Sequence, residues 1–193
     1  MDAVKRPKLR NWTRQEYDQM IAAGVIRSGE RVELIDGEIR SMAAQGSAHL
    51  TAVRLTAKAL EQALGTGYEV RTQAPIALDD RSEPEPDVAV APGSTRDYRK
   101  QHPTQVLLVV EVSDSTLRED RRDKGSLYAR GGIQDYWIVN LVKGLLEVYR
   151  EPVPAPEAPC GWKYRLVERY GPEDTISPLA RQKAKVQVAD LLP

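Results

Sequence analysis

Phenylalanine does not occur in this 193-residue sequence, and cysteine occurs once, as Cys160. A single cysteine forms no internal disulfide, and it excludes zinc ribbons and Cys-x-x-Cys redox sites. It fits a reducing, cytoplasmic location. No apolar run approaches the roughly 18 residues that a membrane-spanning helix needs. Charge of one sign is also missing: Lys plus Arg and Asp plus Glu each total 28, so net charge is zero. A dedicated nucleic-acid binder is usually basic overall, so such a role would rest here on local patches. A P-loop, a dinucleotide fingerprint and a Gly-x-Ser-x-Gly elbow are absent. The start, MDAVKRPKLRNW, is basic with no apolar segment behind it. That argues against a signal peptide and for a loose arm over residues 1–11. The rest of the chain reads as one domain with no internal repeat.

Thr13 and Glu16 form a capping box ahead of a helix that Gly24 ends. Asp36-Gly37 lies between two alternating segments, RVELI and EIRSM, a strong hairpin signal. A second helix follows, capped by Ser47 and ended by Gly65, with His49, Val53, Thr56, Leu60 and Ala63 on one stripe. YEVRTQAPIAL reads as a strand by alternation, Asp79 to Ser82 as a turn, and EPEPDVAVAP as a short strand entered through prolines. Residues 93–104 are a polar connection. QVLLVVEVS is then a strand buried on both faces. DSTLREDRRDKGSLYARGG is a helix capped at Ser115 or Thr116 and ended at Gly131. QDYWIVNL, LLEVYRE and WKYRLVERY are further strands, and QKAKVQVADLLP closes the chain. This order predicts an α/β or α+β fold, with a mixed sheet and helices against its faces.

Glu111 interrupts the most apolar of these strands. An unpaired buried carboxylate costs several kcal/mol, so it needs a metal, a cation or a proton. Asp87 opens the neighbouring short strand, so the two carboxylates can converge. Val112 offers its carbonyl at that point, while Ser113 shares the face of Glu111. On the following helix, Leu117, Asp120, Lys124 and Leu127 recur at helical spacing. Asp120 and Lys124 therefore face the sheet, with Arg118, Arg121 and Arg122 facing outward. Two carboxylates, a carbonyl and water make an all-oxygen set suited to Mg²⁺ or Mn²⁺. The plain alternatives are a turn aspartate at Asp87, an i,i+4 pair at Asp120 and Lys124, a structural histidine at His49 and an edge charge at Glu33. Cys160 reads as inert.

In this order the segments VELIDGE, a helical histidine, PEPDVAV, LVVEVSDSTLREDRRDK, LYARGGIQDYWIVNL and LEVYREP resemble the Uma-type family of putative restriction endonucleases. This is a branch of the PD-(D/E)xK nuclease superfamily. The resemblance runs from about Trp12 to the C-terminus. It implies a restriction-endonuclease-like mixed sheet flanked by helices, with an added N-terminal helix and hairpin and added C-terminal strands. It also implies a Mg²⁺- or Mn²⁺-dependent endonuclease acting on DNA. By position, Asp87 matches the Asp of the PD element and Glu111 the acid of the next strand. Ser113 stands where the superfamily usually has lysine, and Lys124 on the helix takes that role. Glu33, His49 and Asp120 match further positions of the branch. Asp87, Glu111, Lys124, Glu33 and His49 are thus the expected catalytic set, with Asp87, Glu111 and Val112 as metal ligands. The segment MAAQGSA lacks the proline of the branch, and Asn140 replaces an Asp. The resemblance also implies a homodimer. Local basic clusters at Arg96, Arg99 and Lys100, at Arg118, Arg121 and Arg122, and in the N-terminal arm would meet phosphates. A non-catalytic nucleic-acid-binding or interaction module on the same fold is the alternative. A glycosidase explains neither the inward lysine nor the PD context, and the chain has few aromatic residues for a sugar platform.

Overall fold

Pro84 and Pro86 cannot donate to a sheet ladder, so the strand they lead into begins only after Asp87. That strand, β4 (Val88–Pro92), lies inside a mixed six-stranded sheet. The computed structural model describes residues 10–193. The expected loose arm lies outside the described residues, apart from Arg10 and Asn11. Arg10 stacks over Trp12, 4.3 Å from the ring centroid, and pairs with Glu16.

The chain opens with α1 (Arg14–Ala22), started by the expected Thr13–Glu16 capping box. The hairpin β1 (Val32–Ile35) and β2 (Glu38–Ser41) follows. Its turn has positive φ at both Asp36 (48°) and Gly37 (84°), the geometry that Asp-Gly favours. Helix α2 (Ser47–Leu64) is entered through Gly46 rather than capped by Ser47. Ser47 already has helical backbone and so cannot be the cap. Strand β3 (Tyr68–Thr72) is shorter than its alternation suggests, because Gln73 turns into the left-handed region at φ 47°. Then come β4, β5 (Leu108–Ser113), β6 (Asp135–Asn140), β7 (Leu145–Pro154) and β8 (Trp162–Tyr170). The sheet order is β3-β4-β5-β6-β7-β8, with β5 and β6 the parallel pair. Two short strands, β9 (Thr175–Ile176) and β10 (Val186–Gln187), pair with each other.

Strand alternation sorts the core into two layers. Val88, Val90, Leu108, Val110, Val112, Trp137 and Val139 face α2, which contributes Val53, Leu60 and Leu64. Val186, Val188 and Leu191 close this layer from the C-terminal segment. Arg181 helps hold that segment by donating to the terminal carbonyls of α2, including Ala63 O at 3.3 Å. Ala89, Val109, Tyr136, Ile138 and Tyr149 face the other way, against Tyr128 and Ala129. Glu111 and Ser113 alternate onto this second face. Each fully buried aliphatic side chain contributes about 1.5–3 kcal/mol.

The helix on the second face has three consecutive pieces: α3 (Leu117–Glu119), a π-helical turn (Asp120–Lys124) and α4 (Gly125–Arg130). Gly125 donates back to Asp120 O, and a Cβ at Gly125 would stand 3.3 Å from that oxygen. The wide turn rotates side chains away from ordinary helical spacing. Arg121, expected to face outward, therefore turns in. Its Nε donates to Glu147 Oε2 at 2.9 Å, and its Nη2 donates to Oε1. Arg118 and Arg122 remain exposed.

Glu147 is fully buried on β7 and also accepts from Asn140 and Tyr149, each at 2.8 Å. Burial pushes its carboxyl up, but Arg121, Asn140 and Tyr149 outweigh this and bring it down to about 2. The sign follows: this stabilisation is present above the unfolded value near 4.5 and is lost as pH falls towards about 2. Arg121→Ala is expected to cost about 2–3 kcal/mol at pH 7, less than a fully buried pair because water screens the part-exposed guanidinium. Urea denaturation measures it. A variant as stable as wild type would exclude this ion pair as a structural tie.

Candidate active site

Asp87 and Glu111 meet where β4 and β5 part. The β4–β5 register pairs Val88 with Val110, so one further step would set Asp87 across from Glu111. The ladder stops there instead. The Asp87 carboxylate takes the place of a strand carbonyl and accepts the Val112 N–H on Oδ2 at 2.9 Å. A strand residue directs its N–H and C=O to the same edge, so the Val112 carbonyl also faces the β4 side.

Asp87 Oδ1 is held by three side chains. His49 Nε2 lies 2.9 Å away, Gln73 Nε2 donates at 3.3 Å and Gln45 Nε2 at 3.4 Å. His49 reaches it from the first turn of α2, the end of that helix nearest the hairpin. Hydrogen bonding to Asp87 raises the His49 pKa against the opposing effect of burial. Gln73 also donates its backbone N–H to Asp87 O at 3.1 Å. Its left-handed backbone is what lets one residue grip both ends of Asp87.

Glu111 is 3% exposed, and it answers to the helix over it. Lys124 Nζ donates to its Oε1 at 3.1 Å, and Tyr128 OH donates to the same oxygen at 2.7 Å. Burial pushes the Glu111 carboxyl up to about 8; Lys124 opposes this, while Asp87 and Asp120 add to it. Burial alone would lower the Lys124 pKa. The carboxylates of Glu111, Glu33 and Asp120 outweigh it and hold the ammonium charged well above the ordinary lysine range. Glu33 Oε1 lies 3.8 Å from Lys124 Nζ, and its Oε2 accepts the Glu85 N–H at 3.1 Å. Asp120 Oδ2 accepts from Thr116 Oγ1 at 2.6 Å, and burial raises its carboxyl.

These groups line a cleft of about 140 Å³. Glu33, His49, Asp87, Glu111, Val112, Asp120 and Lys124 all border it, so every residue singled out for the site stands in one place. The hairpin carrying Arg40 and the loop after it form one wall, and residues 114–120 form the other. Arg40 Nη1 spans them to Glu119 at 3.7 Å. Among the described residues, no three His, Cys, Asp or Glu side chains form a group able by itself to hold a metal ion. Gln45, Gln73, Glu85, Thr116 and Tyr128 were not legible as site residues. Tyr128 carried a usable signal: it lies one helical step beyond Lys124, on the same face. Gln73 carried none, because its role depends on a backbone conformation that glutamine rarely adopts.

Comparison with known proteins bears on the fold and the family. A solved structure, a putative nuclease belonging to DUF820 from Anabaena variabilis, superposes with a TM-score of 0.63 at 15% identity, covering 84% of this chain and 90% of that one. At that identity the likeness speaks for the fold, a six-stranded mixed sheet with helices on both faces. No curated protein matches the chain in sequence. A family model described as Uma2, putative restriction endonuclease, matches residues 14–188. That span takes in the hairpin, the helical histidine, both carboxylate strands and the lysine helix, and the chain belongs to the Uma2 family of putative restriction endonucleases.

Proposed function

We propose that the chain is a metal-dependent endonuclease that hydrolyses phosphodiester bonds in DNA. The observation that supports it most is the convergence of Asp87 and Glu111 in one cleft, with the Lys124 ammonium 3.1 Å from Glu111. Family membership supports a nuclease in the broader sense.

The fit of a divalent cation can be judged from charge. Glu33, Asp87, Glu111 and Asp120 are each no more than 6% exposed, and the cations bordering their cleft are Lys124, His49 and Arg40, the last already paired with Glu38 and Glu119. The site is thus short of positive charge, and its donors are hard oxygens. Two carboxylates, a carbonyl and several waters are what Mg²⁺ ordinarily takes, so three protein side chains are not required. Asp87, Glu111 and the Val112 carbonyl would hold Mg²⁺ or Mn²⁺, which when bound supplies a water of lowered pKa and polarises a phosphoryl oxygen. Lys124 keeps Glu111 oriented and brings a fixed positive charge to where negative charge grows on the phosphoryl oxygens. Glu33 anchors Lys124 from the far side. His49, Gln45 and Gln73 restrain Asp87.

Glu111 must be ionised to bind a cation, and burial holds its carboxyl near 8. Ion uptake at pH 7 should therefore release protons, with the release fading as pH rises past about 8. Titration calorimetry of Mn²⁺ in two buffers of different ionisation enthalpy measures this. Plasmid nicking with Mg²⁺ or Mn²⁺, and none with chelator, tests the activity. The alternative, a nucleic-acid-binding or interaction module without catalysis, draws on the lack of a three-ligand group among the described residues. A folded protein that takes up no divalent ion at millimolar concentration would establish that alternative. A homodimer, in which two sites meet two strands, is also proposed, and sedimentation would test it.

A further inference from the structure

Glu111 has two carboxylate oxygens, and the helix over it treats them differently. Lys124 Nζ and Tyr128 OH both donate to Oε1, at 3.1 and 2.7 Å. Among the described residues nothing donates to Oε2. Tyr128 is fully buried, and it is packed by Tyr136, whose ring centroid lies 5.1 Å away. Its ring is thereby fixed, and its hydroxyl has little freedom to serve another acceptor. Tyr136 in turn spends its own hydroxyl on the Asp120 carbonyl at 2.9 Å, inside the π-helical turn. The turn and the tyrosine pair together set where Lys124 and Tyr128 stand over the strand.

We propose that Tyr128 is a positioning residue: by sharing Oε1 with Lys124 it fixes the rotation of the Glu111 carboxylate and leaves Oε2 facing the cleft as the oxygen that takes a divalent cation. This rests on the metal-dependent reading given above. Donor groups behind a ligand restrict its orientation, and their loss typically weakens metal affinity by about 10–100-fold. The phenol does this without adding charge, so it does not compete with the cation as a second ammonium would.

The test is Tyr128→Phe, which removes one oxygen from a packed ring. Mn²⁺ affinity of the DNA-free protein, measured by titration calorimetry, should weaken by about tenfold or more. Saturating Mn²⁺ should restore most of the cleavage rate. Tyr164→Phe is the control, since it removes a buried tyrosine hydroxyl, bonded to the Ile133 carbonyl at 2.8 Å, that touches neither Glu111 nor the π-helical turn. It should leave Mn²⁺ affinity unchanged, whatever either variant does to the melting temperature. In wild-type crystals soaked with Mn²⁺, anomalous density should lie against Glu111 Oε2, with Tyr128 still on Oε1. Equal Mn²⁺ affinity in wild type and Tyr128→Phe overturns the proposal, as does density against Oε1. If wild type binds Mn²⁺ but does not cut DNA, the nuclease reading fails while the role of Tyr128 is judged by the same affinities. If wild type binds no divalent ion, both fall together.

Discussion

Glu111→Gln is expected to fold within about 1 kcal/mol of wild type at pH 7 and to cut DNA at least about 10³-fold more slowly. The two halves have separate causes. Burial pushes the Glu111 carboxyl up to about 8, so its charge is costly to hold in the folded protein. A neutral isostere removes that cost together with the attraction to Lys124, and the two nearly offset. The glutamine carbonyl can keep the bonds from Lys124 and Tyr128, and its NH₂ falls where Oε2 was, which has no donor to oppose it among the described residues. What the amide cannot do is become an anion. If the cation contributes several kcal/mol to the transition state, its loss is a thousandfold effect, at one factor of ten per 1.36 kcal/mol. Asp87→Ala should abolish cleavage as well, but it is a harsher probe. It strips the acceptor from the Val112 N–H, His49, Gln45 and Gln73 at once. Cleavage at wild-type rate in both variants would remove these two residues from the chemistry.

Lys124→Met should damage stability as well as activity. Nζ lies 3.1 Å from Glu111 and 3.8 Å from Glu33, and the side chain is only 14% exposed. Removing one partner of a buried charge group leaves the others uncompensated, typically at about 3–5 kcal/mol. The pH dependence separates this from lost packing. Glu111 has a folded pKa above its unfolded value of 4.5, so the stability linked to its proton is full below 4.5 and is lost as pH rises through about 8. Above that point wild-type Glu111 ionises beside an ammonium. In Lys124→Met it has no cation, its pKa rises further, and the gap from wild type should widen between pH 8 and 9. Glu33 contributes a loss already present at neutral pH. Denaturant midpoints across this range measure both parts. A gap independent of pH would mean that Lys124 acts only through packing. With Glu111→Gln in the background the pH-dependent part should vanish, since the titrating group is gone.

Much of this arrangement was legible in the chain itself. The LLVVEV run declared a strand buried on both faces and placed a carboxylate inside it, and burial costs demanded a partner. The spacing of Leu117, Asp120, Lys124 and Leu127 showed which helix face would supply the lysine. The prolines before Asp87 showed where its strand must begin. These are local rules: period, turn chemistry and the cost of an unpaired charge act over a few residues and can be read one segment at a time.

Other features required the tertiary structure. Arg121 faces Glu147 because a π-helical turn adds a residue to the helix, and nothing in 3.6-residue periodicity announces that. Gln73 reaches Asp87 through a left-handed backbone imposed by its neighbours. His49 could be read as a core histidine until α2 was laid against the end of β4, where its ring meets Asp87 at 2.9 Å. Residue identity along the chain says which groups are too costly to bury alone. Only the packing of distant segments decided which group answers each of them, because that depends on side-chain directions summed over the whole fold and not on spacing along the chain.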